Sequence, residues 1–149
     1  MSEKPTHQFV DPRYAKGTDY GKVLNQIQTA GVCPFCPDTF KWHTKPILQR
    51  TLGWLITRNM NPYAGTREHF LIVGKKHVEN ILDLSPRDMT AILRLAQWAV
   101  VEYQLPGALL AMRFGDKEFT GATVTHLHAH LIVPEKIDDR VTVVNFPIG

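Results

Sequence analysis

The 149-residue sequence is poor in the features that mark secreted, membrane or nucleic-acid-binding chains. Its two cysteines are too few for a disulfide scaffold. No apolar run approaches the ~20 residues of a membrane-spanning helix, so no membrane partner is expected. Basic residues are scattered and the formal net charge is +3, which leaves no block of cations to follow a nucleic-acid backbone. Internal repeats and low-complexity stretches are absent. No signal-peptide pattern is visible, and with so little cysteine this predicts a reducing, cytoplasmic setting. What remains is an ordinary globular balance, 44% hydrophobic and 21% charged, at a length that suits one domain with a real core. The small positive excess suits a small anionic ligand.

The strongest local pattern is His126-Leu127-His128-Ala129-His130-Leu131-Ile132. In a strand, successive side chains point to opposite faces, so the three imidazoles share one face and Leu127, Ala129 and Leu131 share the other. Val133-Pro134 closes the run, because proline cannot donate to a sheet ladder. A strand over residues 126–133 is therefore expected. A lone histidine usually has a structural role. Three on one face are costly unless used, either as metal ligands or for nucleophilic catalysis. Spacing alone leaves both open.

Residues 1–17 are polar, with Pro5, Pro12 and Gly17, and read as an N-terminal arm; residues 18–149 read as a single domain. A short helix is expected over 19–30, with Asp19 as its cap and Gly31 as its stop. Strands are expected over 47–51 and 54–58, turned at Gly53, and over 69–73. Ser85-Pro86-Arg87-Asp88 has the chemistry of a helix start. The stripe Met89, Ile92, Leu93, Ala96, Val100 and Tyr103 predicts a long helix that Gly107 ends. A strand follows over 109–114, then a loop over 115–121, then the histidine strand. Val141, Val143 and Val144 in the tail suit a last strand or a contact with a second subunit. Mostly short connections between strands favour antiparallel pairing, hence an α+β domain.

Three further features carry chemistry. Gly121-Ala122-Thr123 is either a plain turn or a loop aiming N–H groups and a hydroxyl at an anion. Arg113 is either a solvated charge or a bidentate phosphate clamp. Cys33-Pro34-Phe35-Cys36 is a redox dithiol, half of a zinc site, or two incidental thiols. With His77 and His126 as further ligands it would form a closed, structural tetrahedral site.

Taken together, these residues resemble the histidine triad (HIT) superfamily of nucleotide hydrolases and transferases. The histidine row fits the family's His-φ-His-φ-His-φ-φ signature, where φ is apolar. Gly121 and Thr123 match its upstream loop. His69 to His77 resembles its His-x-Leu-φ-φ-Pro-Lys-x-His segment, with Gly74 in place of the proline. Asn59 to Tyr63 resembles an Asn-x-x-Pro-Tyr stretch, and Cys33-x-x-Cys36 matches the zinc-containing members. The resemblance implies an antiparallel sheet of about five strands with one long and one short helix. It implies that His128 attacks an α-phosphorus and forms a nucleotidyl-histidine, with His130 and Thr123 holding phosphate oxygens. His126 would support the active face while ligating a structural zinc ion with Cys33, Cys36 and His77. His69 would line the nucleotide pocket, Asn59 would lie on the ribose side, and Arg113, Gly121 and Ala122 would complete the pocket. Many members carry amides where this chain has Arg113 and Ala122. The implied reaction releases a nucleoside monophosphate from a dinucleoside polyphosphate or a phosphoramidate, adenylated substrates being expected, and the implied assembly is a homodimer. The alternatives are a phosphorylase using the same intermediate, a metallohydrolase with the histidine row as ligands, and a non-catalytic nucleotide-binding protein.

Overall fold

Alternating apolar residues build five strands: β1 (Ile47–Thr51), β2 (Trp54–Arg58), β3 (Thr66–Gly74), β4 (Leu109–Met112) and β5 (His128–Pro134). They form one antiparallel sheet in the order β1-β2-β3-β5-β4. The computed structural model describes residues 7–15 and 18–149, and the backbone but not the side chain of Thr18. The α+β class and the five-stranded sheet are as the sequence implies. Leu52 and Gly53 both take positive φ between β1 and β2, the geometry of a tight hairpin turn.

Two helices carry the layers around the sheet. α1 (Thr18–Ala30) begins one residue earlier than its apolar spacing implied, so Asp19 lies in its first turn, where a negative charge opposes the helix dipole. Gly31, at φ 66°, ends it. α2 (Pro86–Glu102) starts on the expected capping box: Ser85 Oγ accepts from Asp88 N–H, and Asp88 Oδ2 accepts from Ser85 N–H at 2.8 Å. Its buried face is Ala91, Ile92, Leu95, Ala96 and Ala99, which keeps Ile92 and Ala96 of the stripe read from the sequence, with Tyr103 packed beside them. Met89, Leu93 and Val100 are exposed. Trp54, Phe70 and Ile72 already fill the layer from the sheet side, so three of the five buried helix positions are alanines. It ends at Tyr103, where Gln104 turns to φ 48°, ahead of Gly107.

The sheet therefore has two unlike faces. One packs Phe70, Ile72, Ala129, Leu131 and Val133 against α2. The other carries Leu55, Leu71 and Val73 under Phe35 and Phe40, and it is on this second face that the histidines emerge. Residues beyond β5 make a two-stranded ribbon, β6 (Lys136–Ile137) with β7 (Arg140–Val141), in place of a strand on the main sheet. Between β4 and β5 lies a single helical turn, α3 (Lys117–Thr120), which Gly121 closes at φ 64°.

Candidate active site and metal cluster

β5 pairs His130 with Leu71 and His128 with Val73 on β3, which fixes both imidazoles on the face away from α2. Leu127, Ala129 and Leu131 are buried, as the alternation requires. The strand begins at His128, so His126 lies in the extended approach to it rather than within it. The cause is a change of partner: Leu127 N–H donates to Val78 O at 2.8 Å instead of continuing the ladder. His126 still faces its neighbours but turns toward the end of β3.

Backbone groups decide which nitrogen each ring presents. His128 Nδ1 lies 2.8 Å from His126 O, a group that can only accept, so Nδ1 carries the proton and Nε2 keeps its lone pair toward the pocket. The His69–His130 pair works the other way. Tyr63 N–H can only donate, so His69 Nδ1 accepts it at 3.1 Å and the proton is on Nε2. That proton goes to His130 Nδ1 at 2.9 Å, leaving His130 Nε2 as an N–H donor. Burial pushes His128 and His69 down to about 4, with the Arg113 charge acting in the same direction. Burial also lowers His130 well below its usual value. All three are neutral at pH 7.

His130 Nε2 and Arg113 Nη1 lie 3.4 Å apart. Both are donors, and Arg113 Nε is buried without a partner among the described residues. Donors converging without an acceptor are a local preference for an anion. Tyr63 OH accepts from Arg113 Nη2 at 3.3 Å, and Phe146 lies under the guanidinium at 4.2 Å from its ring centroid. Pro147 O accepts from the same Nη2. The tail thus folds back over the site in its own subunit, a placement its valine pattern did not announce.

A pocket opens in front of His128 and His130, and Asn59, Arg113, Gly121, Ala122 and Thr123 line it. An adjoining, more apolar cleft runs between Ile27, Phe35, Trp42 and Leu71. Asn59 Oδ1 accepts from Asn61 N–H at 2.9 Å, which leaves its amide nitrogen near His69. Thr123 Oγ1 is 3.1 Å from Tyr20 OH. Gly121 N–H donates to Lys117 O at 2.8 Å and Ala122 N–H to Thr120 Oγ1 at 3.3 Å. These two amides close α3, so Gly121 and Ala122 give the wall its shape rather than anion donors. His69 departs from expectation: at 3% exposure it lies behind His130, not on the pocket wall. The reason is register, because Leu71 is the residue opposite His130 and His69 is its diagonal neighbour.

Cys33, Cys36, His77 and His126 form a second centre, their ligand atoms all within 4.8 Å of one another. Cys33 Sγ to His126 Nδ1 is 3.4 Å, Cys36 Sγ to His77 Nδ1 is 3.5 Å, and Cys36 Sγ to His126 Nδ1 is 3.7 Å. Ordinary metal–sulfur and metal–nitrogen bonds in a tetrahedron give an edge of about 3.5 Å, so the spacing fits a four-coordinate ion. The tautomers fit as well. His126 Nε2–H donates to Gly74 O at 2.6 Å and His77 Nε2–H to Glu79 Oε1 at 2.9 Å, which leaves both Nδ1 lone pairs aimed at the thiols. Burial pushes the Cys33 thiol up, so a bound cation is what would ionise it. The histidine row does not act as one ligand set: His126 turns to the cysteines while His128 and His130 turn to the cavity. That removes the metallohydrolase arrangement. Sequence reasoning missed Glu79, Tyr20 and Phe146, and quoted Tyr63 only as the end of the Asn59–Tyr63 stretch, without a role; for Glu79 the alternation His77-x-Glu79 was available as a signal.

The model of the HIT domain matches residues 43–137, nearly two thirds of the chain. The chain belongs to the HIT family. Solved structures with this fold include a histidine triad nucleotide-binding protein from Candida albicans, 20% identical, with 78% of this chain and 83% of that one covered at a TM-score of 0.58. A Zn-bound histidine triad family protein from Mycobacterium smegmatis is 22% identical over 77% of this chain and 83% of that one, TM-score 0.56. A HIT family hydrolase from Clostridium thermocellum is 22% identical over 71% and 91%, TM-score 0.54. In this HIT domain the matched span holds the whole sheet and the histidine row. It leaves out Cys33, Cys36, α1 and the folded-back tail.

Proposed function

We propose that this HIT protein is a nucleotide hydrolase or nucleotidyl transferase that works at an α-phosphate and releases a nucleoside monophosphate. One observation carries the reading: on a single strand face, His128 presents a lone pair and His130 presents an N–H, beside a guanidinium whose buried Nε has no acceptor among the described residues. A neutral nucleophile flanked by anion donors suits phosphorus better than a metal or a thiol substrate.

His128 Nε2 attacks the α-phosphorus. The phosphorus–nitrogen bond forms as the bond to the leaving oxygen or nitrogen breaks, while Nδ1–H stays on His126 O. His130 Nε2–H and Arg113 hold the equatorial oxygens as charge spreads over them. The Thr123 hydroxyl, backed by Tyr20, supplies a proton toward the leaving group. Water then attacks the nucleotidyl-histidine and returns a proton to the Thr123 oxygen, the phosphorus–nitrogen bond breaks, and His128 returns to its neutral form. Inorganic phosphate in place of water would make the enzyme a phosphorylase. Asn59 faces the ribose, and the apolar cleft beside Phe35 takes the base, adenine being the expected one. His69 acts through His130. Cys33, Cys36, His77 and His126 would hold a structural zinc ion, which supplies a fixed anchor for the approach to β5 and no chemistry at the phosphate. A homodimer belongs to the same reading. β4 has no further strand on its outer edge among the described residues, and Leu109 and Leu110 are exposed there.

Intact-protein mass spectrometry after brief mixing with dinucleoside polyphosphates or nucleoside phosphoramidates tests the reaction. The expected result is an acid-labile nucleotidyl adduct in the wild type and none in His128→Asn. Tight nucleotide binding without adduct or turnover on any adenylated substrate would favour a binding protein instead.

A further inference from the structure

Among the described residues, Glu79 is the one carboxylate bonded to the metal cluster, and it touches more than the cluster. Its Oε1 accepts from His77 Nε2 at 2.9 Å, His7 Nε2 at 2.6 Å and Thr125 Oγ1 at 2.8 Å. One oxygen thus joins a metal-ligand candidate, the segment before α1, and the loop that leads into the histidine row. The backbone supports the same joint. Val10 bridges Val124, Asp11 N–H donates to Thr123 O at 2.9 Å, and Thr125 N–H donates to Phe9 O at 3.0 Å. The Phe9 ring meets His77 edge-on at 5.3 Å between centroids.

We infer that Glu79 is a positioning residue with two linked tasks: it sets the His77 ring for metal binding, and it latches residues 7–11 onto residues 123–125. The inference rests on the metal reading of the cluster and not on the proposed reaction. The physical link is simple. A cation on His77 Nδ1 draws electron density from the ring and makes Nε2–H a stronger donor, which tightens its bond to Glu79. The same oxygen holds His7 and Thr125, so metal occupancy is felt at the amides flanking Thr123. Coupling of this kind is reciprocal, so loosening the latch weakens the metal.

His7, His77 and Glu79 also place one ligand atom each within 4.8 Å of one another. In that group His77 offers only Nε2, the nitrogen already given to the carboxylate. The arrangement is therefore an outer shell around the four-ligand site rather than a second ion site.

The test uses the full chain with zinc as the probe and two readouts independent of turnover. Zinc affinity is measured by competition with a chromophoric chelator, and amide hydrogen exchange is followed at Asp11 and Thr125. Glu79→Ala is expected to weaken zinc by about 10- to 100-fold and to speed exchange at both amides. Glu79→Gln keeps an acceptor and the side-chain shape, so it guards against misfolding. It is expected to lie between the two, with near-wild-type exchange and a measurable loss of zinc affinity. His7→Ala is expected to speed exchange and, through the reciprocal coupling, to weaken zinc by less than Glu79→Ala does. Faster exchange with unchanged zinc affinity in both Glu79 variants would overturn the inference and leave the metal site intact. A second zinc equivalent lost in His7→Ala would overturn it too. A wild type that binds no zinc would overturn both the inference and the metal reading, while an adduct at His128 would stand regardless.

Discussion

His126 and His128 stand two residues apart on the same approach, yet they offer opposite nitrogens. His126 gives its Nε2 proton to Gly74 O and turns Nδ1 to the two cysteines. His128 gives its Nδ1 proton to His126 O and turns Nε2 to the cavity. The same side chain therefore serves a metal centre in one place and a candidate nucleophile in the next. Strand alternation supplies the shared face; a neighbouring backbone oxygen chooses the nitrogen.

Several measurements would break or sharpen that contrast. His128→Asn should lower nucleoside monophosphate release by about 10³-fold or more while zinc content stays unchanged, read by product chromatography and elemental analysis. Equal loss of both would erase the difference between the two regions. Cys33→Ser should do the reverse at the other centre, dropping bound zinc well below one equivalent and lowering the unfolding temperature, because metal binding and folding are coupled there.

The pH response separates stability from chemistry. His69 and His128 bind a proton near 6.5 when unfolded but only near 4 when folded, chiefly through burial. Between those values the unfolded chain binds more protons. Their stabilising contribution is thus complete above about pH 6.5 and is lost as pH falls toward 4, up to about 3 kcal/mol for each ring. Denaturant titrations at pH 7, 5.5 and 4.5 should follow that decline. The chemical step should lose little rate from pH 7 to 5.5, since the nucleophile stays neutral; an acid limb at 6.5 in single-turnover kinetics would contradict it. Arg113→Lys is the mildest change. It keeps the charge and loses the planar fork, so kcat/KM should fall by about tenfold without effect on zinc.

How far the sequence reached depended on distance along the chain. β1 and β2 were legible to the residue because alternation and the Gly53 turn are local. The capping box at Ser85 was legible for the same reason. The buried face of α2 was legible at Ile92 and Ala96 but not in full, because the burial of Ala91, Leu95 and Ala99 instead of Met89 and Leu93 is set by Trp54 and Phe70 on other strands. Within the site, the histidine row and the Cys-x-x-Cys pair could be read, but not their division of labour. His126 and His128 look alike until Gly74 O and His126 O are in place. The position of His69 behind His130 depends on β3–β5 register, which periodicity leaves undetermined. Phe146 and Pro147 reach Arg113 from more than thirty residues away, with no local pattern to announce them.

Gly74 ties the two layers of the molecule together. A Cβ there would lie 3.1 Å from the Trp54 ring, whose Nε1–H is held by Asp88 at 2.9 Å in the first turn of α2. The Gly74 carbonyl is also the group that fixes the tautomer of His126. A helix cap on one side of the sheet is thereby in mechanical series with a ligand on the other. Enlarging Gly74, or removing the Asp88 carboxylate, would shift the carbonyl and detune the imidazole without touching sulfur or nitrogen. The helix that takes no part in the chemistry nevertheless sets the tension on the strand that does.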